Sequence, residues 1–168
     1  MLTYFNQRRS DGTRSFVTLR IKNALSGGHT NYKRPLMPHL IIEYSANVEA
    51  SLNLPRLIDV MHETTAAIEA FPLAGLRTRG EKRDHYRIAD GHPDNSFVHA
   101  TLKIGSGRTI EVREDAGEKI FAALVNYLEP VSAQRPLAIS FEIQELAEKT
   151  NYKTGNIRQY MAAREASP

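Results

Sequence analysis

Residues 96–108 read Ser-Phe-Val-His-Ala-Thr-Leu-Lys-Ile-Gly-Ser-Gly-Arg, and this stretch decides the fold. Its apolar residues alternate with polar ones and are Val98, Ala100, Leu102 and Ile104. Strict alternation places them on one face of a β-strand. Gly105 and Gly107 then predict a turn, and Arg108 follows directly. The stretch therefore predicts a strand with one buried face that ends in a glycine turn.

A helix and a second strand are predicted downstream of this turn. The apolar residues at helical spacing, which we expect to form a buried stripe, are Ile120, Phe121, Leu124, Val125 and Leu128. Acidic side chains precede them, where the positive end of a helix dipole favours them. Alternation then returns at Leu137, Ile139, Phe141 and Ile143. Residues 96–143 therefore predict one β-α-β unit.

Upstream, residues 38–104 follow the same order of elements. Residues 38–44 are rich in β-formers and open with Pro38, which is tolerated as the first residue of a strand. Helical spacing is shown by Leu54, Leu57, Ile58, Met61 and Ile68. We expect this helix to end before Pro72, and residues 76–91 to form a strand pair or a long loop. The fold class predicted is α+β: two β-α-β units form a mixed four-stranded sheet with two helices on one face.

The composition excludes several classes of protein. Of 168 residues, 41% are hydrophobic and 24% charged, which is ordinary for a globular domain. No apolar run approaches the roughly 20 residues of a membrane-spanning helix. The chain has no cysteine, which excludes disulfides and zinc–thiolate sites and fits a cytoplasmic protein. We therefore expect no membrane partner.

The net charge of +3 is unevenly distributed. Residues 1–36 hold seven basic side chains and one acid, whereas residues 37–168 hold 15 basic and 18 acidic ones, a net charge of −3. We predict that residues 1–36 are a basic leader, disordered or outside the native protein, with one short strand at 16–21. A nucleic-acid partner is not expected, because the body lacks a basic excess; binding through the leader alone is the remaining option.

The histidines do not predict a metal site. His85, His92 and His99 recur every seven residues, but they fall across a loop and a strand rather than on one helix face. No His-Glu-x-x-His pattern is present, and no cysteine is available as a ligand. We expect no bound metal.

Four motifs carry a resemblance to a known family. They are MPHLIIEYS from Met37, FPLAGLRTR from Phe71, SFVHATLKIGSGR from Ser96 and LAISFEIQEL from Leu137. From Met37 to about Ile157 the sequence closely resembles the 5-carboxymethyl-2-hydroxymuconate isomerases of the tautomerase superfamily. The resemblance implies a tautomerase-like domain over residues 37–168.

The resemblance also implies an activity and its residues. Pro38 matches the family's catalytic base, a proline whose amine is exposed by removal of the initiator methionine. Arg77 and Arg108 match its two substrate-binding arginines, while Arg79 is a surface residue of lesser weight. The family isomerises a small carboxylate, 5-carboxymethyl-2-hydroxymuconate, from its enol to its conjugated keto form in homoprotocatechuate (4-hydroxyphenylacetate) breakdown. It does so without a cofactor, as a homotrimer.

Elementary chemistry supports these roles. An α-amine has a pKa of about 7.7–8.0, near neutrality, and a neighbouring cation lowers that pKa further. Arginine grips a carboxylate with two parallel hydrogen bonds and also stabilises a developing dienolate oxygen. Arg108 precedes a predicted helix N-terminus, where free N–H groups attract anions.

One feature departs from the family pattern. As written, the nitrogen of Pro38 is an amide bonded to Met37 and has no basic lone pair. Translation starting at Met37, cleavage after Met37, and a retained leader that abolishes amine catalysis are the three explanations. The alternatives to the isomerase are a related tautomerase for another unsaturated oxo-acid and a non-catalytic oligomeric binding protein.

Overall fold

The computed structural model describes residues 7–8, 14–15 and 37–166. The chain divides into two compact units, Met1–Lys33 and Arg34–Pro168. In the first unit the two-residue strands Gln7–Arg8 and Arg14–Ser15 pair antiparallel. The strand predicted at 16–21 lies outside the described residues.

The second unit contains a four-stranded sheet. Its strands are β1 (His39–Ser45), β2 (Arg77–Arg83), β3 (Ser96–Gly105) and β4 (Leu137–Leu146). Their order across the sheet is β2-β1-β3-β4. Strand β1 runs parallel to β2 and antiparallel to β3, while β3 runs parallel to β4. The sheet is therefore mixed and consists of two β-α-β units side by side, as predicted.

Two helices connect the paired strands and cover one face of the sheet. Helix α1 (Leu54–Ala66) joins β1 to β2, and helix α2 (Ile110–Ser132) joins β3 to β4. Pro55 lies in the first turn of α1, where its missing N–H has no partner to lose. Thr109 caps α2, because its hydroxyl accepts a hydrogen bond from the N–H of Val112.

The hydrophobic core lies between the sheet and these helices. The predicted face of β3 is confirmed, since Val98, Ala100, Leu102 and Ile104 are all fully buried. From the other elements the core takes Leu40, Ile42, Leu57, Met61, Ile120, Leu124 and Leu128. Each buried aliphatic side chain of this size contributes roughly 1.5–3 kcal/mol to folding.

Gly80 of β2 lies against the side chain of Leu54 in the first turn of α1. A Cβ atom added at Gly80 would lie 2.8 Å from Cδ1 of Leu54, nearer than real Cβ contacts allow. A larger residue at this position would therefore require the Leu54 side chain to shift.

The structure corrects three predictions. Helix α1 ends at Ala66, so Ile68, which helical spacing had included, lies beyond its end. Within residues 76–91 a single strand, β2, forms because it pairs with β1 along its whole length, and a loop follows it. Phe121 and Val125 are not in the buried stripe of α2: they are 40% and 36% exposed, since they lie beside the row that faces the sheet.

The remaining elements are short. Three-residue 3₁₀ turns occupy Ala46–Val48 and Leu73–Gly75, and a one-turn helix occupies Glu49–Leu52. Helix α3 (Ile157–Glu165) was not predicted; it contacts the Leu73–Gly75 turn and buries none of its residues. Among the described residues, no helix is both long and apolar enough to cross a membrane.

Candidate active site

One end of the sheet collects the residues that the sequence singled out. Strands β1 and β2 begin there, and β3 and β4 end there, as the pairs His39↔Lys103 and Gly105↔Leu146 show. Pro38 immediately precedes β1. The starts of β1 and β2 therefore lie beside the ends of β3 and β4. Residues distant in sequence come together at this end of the sheet.

Pro38 is buried at this end. Its carbonyl oxygen accepts a hydrogen bond of 3.0 Å from the backbone N–H of Arg77. Proline suits the position because it has no N–H of its own to satisfy before the ladder of β1 begins. This hydrogen bond holds Pro38 just before β1, beside the start of β2.

Arg77 lies on the face of the sheet opposite the helices. Its neighbour Thr78 faces the helices, because its hydroxyl lies 2.9 Å from Nδ1 of His62 in α1. Alternation then turns Arg77 the other way. The guanidinium donates a hydrogen bond from Nη1 to the carbonyl oxygen of Gly75 at 2.9 Å, and the side chain is partly buried. A neutral carbonyl leaves its positive charge uncompensated.

Arg108 lies on the helix side of the same end. Its Nε and Nη2 donate to the carbonyl oxygen of Ala70 at 3.1 and 2.6 Å, and Nη1 donates to that of Gly105 at 3.0 Å. Its guanidinium carbon lies 5.0 Å from the ring centroid of Phe71, within reach of a cation–π interaction. Three of the five N–H donors are used in these bonds, so two remain for a ligand.

The electrostatics of Arg108 also suit an anion. Burial lowers the pKa of Arg108, and the carboxylate of Glu145 opposes that effect. Glu145 is itself ion-paired with Arg113 at 3.1 Å. Because all the carbonyls that hold Arg108 are uncharged, its charge stays available for a carboxylate.

Gly107 explains how Arg108 reaches this place. Its φ of +103° lies in the region that side-chain-bearing residues avoid, and it follows the end of β3. Strand β3 extends through Gly105, and the predicted change of direction follows it, with a bend at Ser106. This change of direction places Arg108 directly before Thr109, the N-cap of α2.

Arg79 lies on the same face as Arg77, but it is ion-paired with a carboxylate. Its Nε donates to Oε1 of Glu81 at 2.9 Å, and its side chain is 46% exposed. The carboxylate of Glu81 partly neutralises the charge of Arg79, so we expect Arg79 to attract an anion more weakly than Arg77. From the sequence, too, Arg79 had less weight.

Two residues near Pro38 were missed by sequence reasoning. His39 pairs across the sheet with both Arg77 and Lys103, so all three side chains share the open face. Burial lowers the pKa of His39, and the positive charges of its neighbours lower that pKa further; these are Arg77, Arg79, Lys153 and Lys103. The residue next to Pro38 therefore lies in a positive field. Lys103 alternates with the core residues of β3, and the strand register pairs it with His39.

The three histidines that recur every seven residues do not lie together on one element. His85 and His92 lie in the loop after β2, and His99 lies in β3, where its Nδ1 is 2.7 Å from the hydroxyl of Ser140. Over residues 7–8, 14–15 and 37–166, no three His, Asp or Glu side chains come together as a metal site.

Comparisons with known proteins identify the family of this chain. Residues 38–161 match the model of the 5-carboxymethyl-2-hydroxymuconate isomerase family. The chain is 43% identical over 121 residues to the 5-carboxymethyl-2-hydroxymuconate Delta-isomerase of Escherichia coli, a match that covers 72% of this chain and 96% of that protein.

Two solved structures have the same fold. The 5-carboxymethyl-2-hydroxymuconate isomerase from Deinococcus radiodurans R1 superposes with a TM-score of 0.71 at 35% identity, covering 76% of this chain and 96% of its own. A second 5-carboxymethyl-2-hydroxymuconate delta-isomerase gives a TM-score of 0.70 at 30% identity, covering 74% and 93%. The fold is thus shared over nearly the whole length of these relatives, and the chain belongs to the 5-carboxymethyl-2-hydroxymuconate isomerase family of the tautomerase superfamily.

Proposed function

We propose that the chain isomerises 5-carboxymethyl-2-hydroxymuconate from enol to conjugated keto form, with the secondary amine of Pro38 as the base. The family supplies the reaction. The observation that carries the residue assignment is the position of Pro38, buried at the sheet end where Arg77 and Arg108 also lie.

The reaction moves one proton within the substrate, and the amine of Pro38 is the only other group it requires. The amine takes the proton from the enol oxygen and delivers it to a carbon of the conjugated chain. One O–H bond breaks, one C–H bond forms, and the amine returns to its starting state. No electron is gained or lost overall.

The positive field at Pro38 makes its amine a suitable base. A free α-amine has a pKa of about 7.7–8.0, and nearby cations disfavour its protonated form. The lowered pKa of His39, one residue along the chain, supports such a field at this point of the sheet. A base whose pKa approaches the working pH is both unprotonated and strong enough to accept the proton.

The two arginines are proposed to bind the substrate from different sides. Arg108 offers its two remaining N–H donors from the helix side, and Arg77 offers its guanidinium from the open face. The planar guanidinium cation of each suits a carboxylate or the oxygen that becomes negative as the enol proton leaves.

A homotrimer is proposed as the assembled form. Strand β4 is an edge strand, and beside it α2 and β4 line an open groove of about 710 Å³. Its lining mixes charged residues with the apolar side chains of Ile110, Phe121, Ile139, Phe141 and Ile143. An unpaired edge next to exposed apolar side chains favours contact with another copy of the chain. Light scattering coupled to size-exclusion chromatography measures the number of copies.

The decisive experiment compares the full chain with a shortened chain that begins at Met37. Removal of the methionine from the shortened chain frees the amine of Pro38, whereas the full chain keeps it as an amide. General-base catalysis contributes about 10²–10⁴-fold, so the full chain should turn over the enol slower by that factor. The activity of the shortened chain should fall on acidification, as the amine becomes protonated.

Two controls make this comparison specific. Intact mass must confirm the first residue of each protein. Pro38→Ala in the shortened chain keeps a primary amine and should retain partial activity, while acetylation of the amine should abolish it. Equal rates in the full and shortened chains would rule out Pro38 as the base. A full chain that binds the substrate without turnover would instead favour the non-catalytic binding protein, and rapid turnover of a different unsaturated oxo-acid would favour the related tautomerase.

A further inference from the structure

A row of basic side chains crosses the open face of the sheet beside Pro38. The register pairs Arg77 with His39 and His39 with Lys103. Residues directly opposite each other on neighbouring strands have Cβ atoms about 4.5–5.5 Å apart. Three basic residues therefore stand side by side, and Gln144 of β4, which pairs with Lys103, completes the row without adding an acid.

The rows deeper in the sheet are different, because their charges are neutralised. Arg79 is paired with Glu81 at 2.9 Å. Arg83 is paired with both Glu43 and Glu81. In the row at Pro38, by contrast, Arg77 bonds a neutral carbonyl, and no described residue forms an ion pair with Lys103.

The row at Pro38 holds two cations and no acid. Arg77 and Lys103 lie on the two strands that flank β1, with His39 between them. Burial lowers the pKa of His39, and the cations around it lower that pKa further. Uncompensated charge that faces a candidate active site is typical of a place where a substrate anion completes the set.

We propose that Lys103 forms a separate carboxylate-binding subsite that receives the carboxymethyl arm of the substrate. The inference rests on the proposed function and adds to it a residue that determines specificity. The substrate carries three carboxylates, the two ends of the muconate chain and the carboxymethyl group. Arg77 and Arg108 account for two of them, and Lys103 is the next cation on the row that begins beside Pro38.

Lysine fits the third carboxylate better than a further arginine would. The carboxymethyl group is joined by a rotatable CH₂, so its carboxylate has no fixed plane. The ammonium of lysine is a compact point charge on a flexible stem and follows such a group, whereas the guanidinium of arginine requires a fixed planar partner.

The test uses Lys103→Gln in whichever form of the chain turns over substrate. It compares 5-carboxymethyl-2-hydroxymuconate with 2-hydroxymuconate, which lacks the arm. For the first compound kcat/KM should fall by about 10-fold or more, mainly through KM, because a charge-assisted contact is lost in ground and transition states alike. For the second compound it should stay within about twofold, because the lost contact is absent. Lys103→Arg should recover most of the loss.

Lys119→Gln is the matched control, since Lys119 is an exposed lysine on α2 that is ion-paired with Asp115 at 2.7 Å. It should change neither substrate's kinetics. An equal loss on both substrates, or no loss on either, would overturn the subsite.

A binding measurement separates this inference from the proposed reaction. Calorimetry with 2-(carboxymethyl)hexanedioate and with hexanedioate, which do not react, measures the preference for the arm directly. Wild-type protein should prefer the first compound and Lys103→Gln should lose that preference, even if neither enol were turned over. Absence of turnover with this preference intact would refute the reaction alone; an unchanged preference in Lys103→Gln would refute the subsite alone.

Discussion

The two faces of the sheet differ sharply although the same strands build both. On the helix-covered face, Leu40 and Ile42 of β1 and Leu102 of β3 are completely buried. The residues of the same two strands that alternate with these face the other way, onto the open face. They are His39, Ile41, Glu43, Thr101 and Lys103. Each strand therefore supplies apolar side chains to the core and mostly polar ones to the open face at alternate positions.

This difference shows how stability and binding are divided. The covered face gains free energy by removing apolar surface from water. The open face near Pro38 instead carries Arg77 and Lys103 with no acid in their row, an arrangement that favours anions. We expect substitutions on the first face to change unfolding most, and those on the second to change kinetics most.

The largest effect on stability is expected from Leu124→Ala in α2. Leu124 is completely buried between the helix and the sheet, and its truncation leaves a cavity. Such changes cost about 2–5 kcal/mol of unfolding free energy. Urea denaturation measures this value. Val125→Ala, one residue away and 36% exposed, is the control and should cost far less; an equal cost would contradict the assignment of the buried stripe.

A smaller effect, on activity, is expected from the arginines at the sheet end. Arg108→Ala removes a charge-assisted contact worth ~1.5–3 kcal/mol, which lowers kcat/KM roughly 10- to 150-fold. Arg77→Ala should act similarly. Arg79→Ala should have less effect, because Arg79 is already paired with Glu81. Steady-state kinetics with the enol substrate give all three values.

The same variants must be shown to fold, since Arg108 also holds two backbone carbonyls. Urea midpoints close to that of the unaltered protein make the kinetic loss attributable to binding. Unchanged kinetics in both the Arg77 and Arg108 variants, with folding intact, would refute the carboxylate assignment.

The smallest effect is a pH dependence of stability on the open face. The pKa of His39 is lowered from 6.5 by burial and by Arg77, Arg79, Lys153 and Lys103. Below pH 6.5 the unfolded chain therefore binds a proton that the folded chain resists, so stability falls as pH decreases towards the folded pKa.

His39→Gln removes this proton uptake and leaves a neutral side chain. The variant should lose less stability than the unaltered protein between about pH 7 and pH 5, because one titrating group is absent. Urea midpoints at several pH values measure the slope. Parallel slopes for the two proteins would show that His39 is not held neutral by its neighbours.

Much of the covered face was predictable from the sequence, because burial leaves a periodic signal. Alternation in β3 located its four core residues, and helical spacing located Leu57 and Met61 in α1. The signal failed for Phe121 and Val125, because a helix packed near the edge of a sheet buries only its central row.

The open face was less predictable, because its organisation depends on pairing between distant strands. Residues 77–83 carry five charges and a glycine, so no local pattern marks them as a strand; their pairing with β1 does. Likewise, nothing in the sequence shows that Arg108 bonds the carbonyl of Ala70, 38 residues away. Helix α3 was missed because it contributes nothing to the core.

The hydrogen bond between the carbonyl of Pro38 and the N–H of Arg77 has a further consequence. The first residue of a chain normally frays, with large thermal displacements. In a chain that begins at Pro38, this bond and the rigid pyrrolidine ring would hold the terminal nitrogen nearly still. The lone pair would then sample a narrow range of directions. The substrate, rather than the base, would have to reorient to reach the geometry for proton transfer. Tolerance for substrates of different shape would accordingly come from flexible side chains around the amine rather than from movement of the amine itself.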